Sequence, residues 1–343
     1  MEQIIPRIDR GLLKKELTAD KLLRKTNKSG NEIYLFTAHS APNLMQEVGR
    51  LREIAFRYYG GGSGKSADID EFDVMENPYR QLIVWDPEEE EILGGYRFIC
   101  GNEVIFNAEG QPSNLATSEL FHFSERFIRK YLPRTVELGR SFVSLDYQST
   151  KTGSKGLYAL DNLWDGLGAL TVIDPRLQFF FGKVTMYSTY NREARNMILY
   201  FLDKYFRDRR KLIRPILPLK IEDPNLQLKR LFKGWTYKED YKILNTEVRK
   251  FGINIPPLVS AYIRLSPSMK VFGTAVNTHF GDVEETGILI NFHEIFEEKR
   301  QRHIESFLKD EPSRNWLNRI RAIISSNFPK VTRKRRKKKH TNH

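Results

Sequence analysis

The sequence predicts an α/β protein, with helices packed around one mixed sheet. Three observations predict it: short strand-like runs and longer helix-like runs succeed one another, no internal repeat is present, and no long Gly/Ser/Pro linker divides the chain. The 343 residues suffice for one large domain, 1–310, with a mostly helical insertion at about 209–255 and a C-terminal segment at 311–343.

"EIYLFTA" (32–38) reads as the first strand. "APNLMQEVGRLREIAFRYYG" (41–60) places Leu44, Val48, Leu51, Ile54 and Ala55 at helical spacing. "QLIVWD" (81–86) and "EILGGYRFIC" (91–100) read as a hairpin turning at Pro87 and an acidic run. A helix is expected over 118–132 with Ser118 as N-cap, a strand over 134–145 and a helix over 157–173. A buried strand over 178–187 and a helix over 192–208 follow. Late strands are expected at "LVSAYIRL" (258–265) and "TGILINF" (286–292), then a helix over 293–309.

Composition excludes several classes. A single cysteine, Cys100, rules out an internal disulfide framework and any multi-cysteine metal site. The N-terminus reads as no signal peptide, and no apolar run approaches the roughly 20 residues of a bilayer span. The expected location is the cytoplasm, peripheral on the inner membrane face. The net charge is +13, but Lys330–Lys339 alone holds eight basic residues and no acid. Before it, Trp316, Ile320, Ile323 and Ile324 share one helical face, with Arg319 mostly off it. Trp316, Arg319, Arg333, Lys334, Arg335 and Arg336 are therefore candidates for contact with an anionic membrane. The plain alternative is a helix packed on its own domain with a solubilising tail. Basic residues without interleaved aromatics give no reason to expect nucleic acid.

"YGGGSGKSADIDEFD" (59–73) contains Gly64-Lys65-Ser66, the end of a phosphate-binding loop. The first glycine of that pattern would fall at position 59, which is Tyr59, and the run follows a helix. Asp68, Asp70, Glu71 and Asp73 then repel phosphate, so a glycine-rich connector is the better reading. "GRSFV" is no nucleophile elbow, and no two histidines stand at i, i+4, so neither a hydrolase triad nor a catalytic metal is expected.

Four clusters stay unexplained by burial alone. Arg52 and Phe56 lie one helical turn apart, Asp70 and Asp73 form D-x-x-D, Arg97 sits in "GGYRF", and Glu137 and Arg140 sit in "ELGRSFVS". Singly, each reads as well as a solvated or turn-forming residue. Their order, with "LDNLWDGLGALTV", "RLQFFFGKVTMYS" and the segment ending "GILINF", resembles the ornithine-lipid and glycine-lipid N-acyltransferases over residues 30–295. These are GNAT-like enzymes, often labelled hemolysins and similar to the acyl-homoserine-lactone synthases. Asn277-Thr278-His279 departs from the family's aspartate-containing stretch, and no role is assigned to it.

The resemblance implies a GNAT-like fold with a mainly antiparallel, splayed sheet. It implies transfer of a (3-hydroxy) fatty acyl group from acyl carrier protein to the α-amine of glycine, ornithine or serine, giving a lyso-aminolipid. No resident cofactor is expected; the acyl-phosphopantetheine of the carrier protein is a co-substrate, and acyl-CoA is a possible one. The alternatives are an acyltransferase making a diffusible N-acyl signal and a noncatalytic membrane-surface protein on the same scaffold.

For that chemistry Glu137 is the candidate base, directly or through a water. Arg140 falls on the opposite strand face unless a bulge intervenes. Backbone N–H groups around Phe142 to Ser144 would face the thioester carbonyl, each worth about 3 kcal/mol of barrier. Arg52, Arg97 and Arg140 can each grip a carboxylate, Asp70 and Asp73 can hold that network, and Phe56 can wall the site. An arginine–aspartate network serves equally as structure. "TKTGSKG" (150–156) lacks the pyrophosphate-binding pattern of CoA enzymes, which favours carrier protein, with Gly153, Lys155 and Gly156 receiving its phosphopantetheine.

Overall fold

The computed structural model describes residues 1–148, 154–219 and 225–309. Ten strands are present among them: β1 (Leu22–Lys25), β2 (Glu32–Phe36), β3 (Arg80–Asp86), β4 (Glu91–Cys100), β5 (Phe121–Phe123), β6 (Thr135–Val143), β7 (Phe179–Met186), β8 (Ile213–Pro215), β9 (Lys270–Asn277) and β10 (Val283–Asn291). Eight of them form one sheet in the order β1-β2-β3-β4-β6-β7-β10-β9, and β5 pairs with β8 alone. Within the large sheet β6–β7 is the parallel pair, and its other neighbours are antiparallel. The expected mixed, mainly antiparallel sheet is therefore present.

Strand alternation sorts the core into two layers. Ile33, Leu82, Val84, Val136, Leu138, Phe180 and Ile290 face one way. They meet α5 (Ser154–Ile173), α6 (Arg192–Phe206), α8 (Tyr237–Arg249) and α9 (Pro257–Ile263) through Leu163, Leu167, Ile198, Phe201, Leu244 and Ile263. Tyr34, Ile83, Trp85 and Phe142 face the other way, under Leu44, Val48, Ala55 and Phe56 of α2 (Pro42–Tyr58). Ile99, Phe181 and Leu289 share that second side, covered by the 104–132 segment with β5 and α4 (Glu125–Lys130). The glycine-rich connector joins α2 to a short α3 (Glu71–Val74).

Several expectations are corrected. The first strand is β1, ahead of 32–38. Helix 118–132 is replaced by β5 and the shorter α4, capped by Ser124 rather than Ser118. Phe121 and Phe123 bury on alternate positions, a strand pattern inside a segment that also scans as helix. The 258–265 strand is α9: Pro257 opens it, and Val259, Tyr262 and Ile263 bury at helical spacing. Strand β9 carries few bulky residues at its outer positions and was not expected. The 209–255 region holds β8, α7 (Asn225–Leu231) and α8. No described helix is long and apolar enough to cross a membrane.

Two irregularities shape the middle of the sheet. The β6–β7 pairing stops at Leu138↔Gly182, although β6 runs on to Val143 and β7 to Met186. The strands therefore part, and the amides that β6 turns toward β7 beyond that point have no ladder partner there. On its other side β6 carries a bulge. Arg97 pairs with Gly139 and Gly95 with Phe142, so Arg140 and Ser141 stand opposite Tyr96 alone. Arg140 has φ +47°, a left-handed backbone that costs a non-glycine residue energy and is kept where surrounding structure holds it. Gly94 admits the close approach beneath, since a Cβ there would lie 2.5 Å from the Phe142 carbonyl oxygen.

Candidate active site

The bulge decides which residues meet. In a regular strand Glu137 and Arg140 point to opposite faces; one extra residue returns Arg140 to the face of Glu137. There it joins α3 and the loop before it. Arg140 Nε lies 2.8 Å from Asp68, and its Nη2 donates to Asp70 at 3.3 Å. Arg97, on β4, donates to Asp70 at 2.6 Å and to Asp73 at 3.1 Å. Arg52, on α2, donates to both Asp73 oxygens at 3.3 and 3.4 Å and to Gln81 at 2.5 Å. Gln81 closes the circuit by donating to Asp73 at 2.9 Å. The short α3 is fixed in this position by its own capping box, with Asp70 and Asp73 as the two members.

Thus Arg52, Asp70, Asp73, Arg97 and Arg140 form one network, with Asp68 and Gln81 added. Three arginines face three aspartates, so the cluster is close to charge-neutral rather than a cationic pocket. Burial opposes the Asp73 anion, but Arg97 and Arg52 outweigh it and hold its carboxyl well below the usual range. Burial likewise works against Arg97, whose two aspartates nevertheless raise it. Asp68 is pushed up by burial, against the pull of the arginines. Arg52 is fully buried, with Asp73 and Gln81 on its two Nη atoms, so it organises the cluster and cannot reach a substrate carboxylate. The accessible end is Arg140, 14% exposed, with Asp70, 23% exposed. Arg140 also sits 4.2 Å over the ring of Phe280, and Phe280 packs edge-on against Phe56 at 5.2 Å. Phe56 thus walls the site through Phe280.

Glu137 lies at the vertex where β6 and β7 begin to part, opposite Phe181. Its Oε2 accepts from the Tyr79 hydroxyl and its Oε1 from the Thr117 backbone N–H at 3.0 Å. Burial pushes its pKa up, and the two donors pull it back only in part. Phe142 is buried beside the bulge. Ser144 is a correction: its N–H donates to the Leu93 carbonyl at 2.9 Å and its hydroxyl to Ile92, leaving neither for a thioester carbonyl. Strand alternation instead turns the Val143 N–H away from β4, toward the side where the β6–β7 ladder has ended.

Gly153 lies outside the described residues, as do Trp316, Arg319, Arg333, Lys334, Arg335 and Arg336. Lys155 and Gly156 fall in the first turn of α5, and the Lys155 side chain lies outside the description too. The glycine-rich connector is no phosphate cradle: Ser63 N, Ser63 Oγ and Gly64 N all donate to Glu53, at 2.8 to 3.0 Å. A cavity of about 310 Å³ opens at the other end of β7, lined by Tyr131, Phe179, Arg210 and Lys270, and touches none of the site residues.

Sequence reasoning missed Asp68, Gln81, Tyr79, Thr117 and Phe280. Gln81 carried a signal, a polar residue opening an apolar strand. Lys183 and Glu285 were also missed. They form a buried ion pair on β7 and β10, with Thr185 donating to Glu285 at 3.3 Å. Lys183 follows Phe181 at a period of two and Glu285 pairs with Thr185 of β7, which sets both on the Glu137 side of the sheet.

A sheet that parts beside a bulged strand, with a carboxylate at the vertex, is the framework of a GNAT-type acyltransferase. A family model described as an acetyltransferase (GNAT) domain matches residues 51–156. A glycine N(alpha)-acyltransferase of Phocaeicola vulgatus is 65% identical over 91% of this chain and 95% of its own. One of Bacteroides thetaiotaomicron is 63% identical over 91% of this chain and 92% of its own. Among solved structures, a CoA-dependent acyl-homoserine lactone synthase with SAM and isopentyl-CoA aligns over 49% of this chain and 72% of its own. That likeness is distant, at 13% identity and a TM-score of 0.30. The chain belongs to the family of these N-acyltransferases.

Proposed function

We propose that the protein acylates the α-amine of glycine, taking the acyl group from the thioester of acyl carrier protein and releasing an N-acylglycine lyso-lipid. The observation that carries this reading is the Arg140–Asp70 pair at the open end of an otherwise buried, neutral network. A zwitterion matches such a pair: its carboxylate meets Arg140 and its ammonium meets Asp70. Glycine is the acceptor named for the relatives, and it has no side chain to accommodate.

The ammonium must lose a proton before it can attack. Glu137, a desolvated carboxylate, is a stronger base than an exposed one and takes that proton directly or through a water. The nitrogen then bonds to the thioester carbon, and a β6 amide facing the gap between β6 and β7 receives the oxyanion. Collapse breaks the C–S bond, the nitrogen gives up its second proton, and the departing thiolate takes one up. A long acyl chain makes the product an amphiphile, which suits a protein that works at an anionic membrane surface.

Purified protein with glycine and a long-chain 3-hydroxyacyl thioester, as carrier protein or CoA, tests this by mass spectrometry. N-acylglycine is expected, formed faster from the carrier protein and retained in the lipid extract. A preference for CoA overturns the donor assignment. In bacteria expressing the protein, product found mainly in the medium favours a diffusible signal, and no N-acylglycine from either donor in vitro overturns the reading.

A further inference from the structure

We propose that Tyr79 is a positioning residue that keeps Glu137 ionised and ties it to the arginine–aspartate network; this rests on Glu137 being the base.

A tyrosine hydroxyl has one proton to give. The Tyr79 oxygen already accepts from the Ala116 backbone N–H at 2.9 Å, so its own proton is aimed at Glu137 Oε2. The other oxygen, Oε1, accepts from the Thr117 N–H. Both carboxylate oxygens therefore accept from fixed donors, and each of these bonds is stronger to the anion than to the protonated acid. These donors favour the anion at a site where burial opposes it. The result is a desolvated carboxylate, ionised and ready to accept a proton.

The same residue reaches the network. Arg97 lies 5.1 Å over the Tyr79 ring while donating to Asp70 and Asp73. Phe72 packs edge-on to that ring at 5.8 Å, on the short helix that carries the aspartates. The polar groups that face Glu137 are Tyr79 from the approach to β3, Arg97 from β4 and Thr117 from the 104–132 segment; its neighbour on β7 is Phe181. Of these, Tyr79 donates to it through its hydroxyl.

The experiment is the pH dependence of kcat at saturating glycine and donor, which reports groups in the bound complex rather than the free amine. Tyr79→Phe keeps the ring and deletes the donor. The acid limb should then move to higher pH by about one unit or more, the size expected for a lost hydrogen bond to a charged group. Fluorotyrosine at position 79, a better donor, should move the limb below the parent position. A uniform loss of kcat with an unmoved limb contradicts the proposal. So does a limb that moves with Tyr79→Phe but ignores fluorotyrosine. If Tyr79→Phe fails to fold, the fluorotyrosine series alone decides. The underlying reading fails separately, when Glu137→Gln keeps the parent kcat.

Discussion

Glu137→Gln is expected to lower kcat by about 10²–10⁴-fold while the KM for glycine changes little. The substitution keeps the volume of the side chain and removes its basicity. Thr117 can still donate to the amide oxygen, and the amide nitrogen faces the Tyr79 oxygen, so the local cost is on the order of 1–3 kcal/mol. A thermal melt separates the two effects: a folded, inactive protein is predicted. Activity within about threefold of the parent would remove Glu137 from the proton path.

Asp73→Asn is expected to give the largest loss of stability. Asp73 is buried between Arg52 and Arg97, and neutralising it leaves one arginine charge uncompensated inside the protein. Breaking a buried pair in this way costs roughly 3–5 kcal/mol, a fall in Tm on the order of 4–7 °C for a chain of this length. The pH dependence carries a sign. Because the folded Asp73 carboxyl lies below its ordinary value, its contribution is complete above about pH 4 and fades as the pH falls further. Denaturant titrations at neutral pH and near pH 3 test both parts: the difference between parent and variant should shrink in acid. A variant as stable as the parent at pH 7 means that the cluster is not what anchors α3.

The sheet was legible because β2, β3, β4, β6, β7 and β10 carry strong apolar alternation or fully apolar runs. The segments read wrongly were those in which local pattern and tertiary context disagree. β5 is short and sits inside a helix-like stretch, and α9 has bulky β-branched residues that read as strand until Pro257 is given weight. For the site, the sequence supplied arginines, aspartates and Glu137 but not their pairing. Nothing in "ELGRSFVS" says that Arg140 adopts a left-handed backbone, and that one bulge brings it beside Asp70. Nor does local sequence say that Arg52 is sealed inside, since that depends on Asp73 and Gln81 arriving from other elements. Tyr79 and Thr117 were invisible for the same reason: each meets Glu137 across a long sequence separation.

The central claim is that Arg140 and Asp70 seat the acceptor as a zwitterion. Comparing glycine with glycinamide, which keeps the amine and lacks the carboxylate, in the parent and in Arg140→Met tests it most directly. The parent should prefer glycine in kcat/KM by about 10²-fold or more, the range for losing a charged partner. Arg140→Met should lose most of its activity on glycine, keep its rate on glycinamide and so bring the ratio close to one. Equal losses on both acceptors, or an undiminished preference for glycine, would contradict the account.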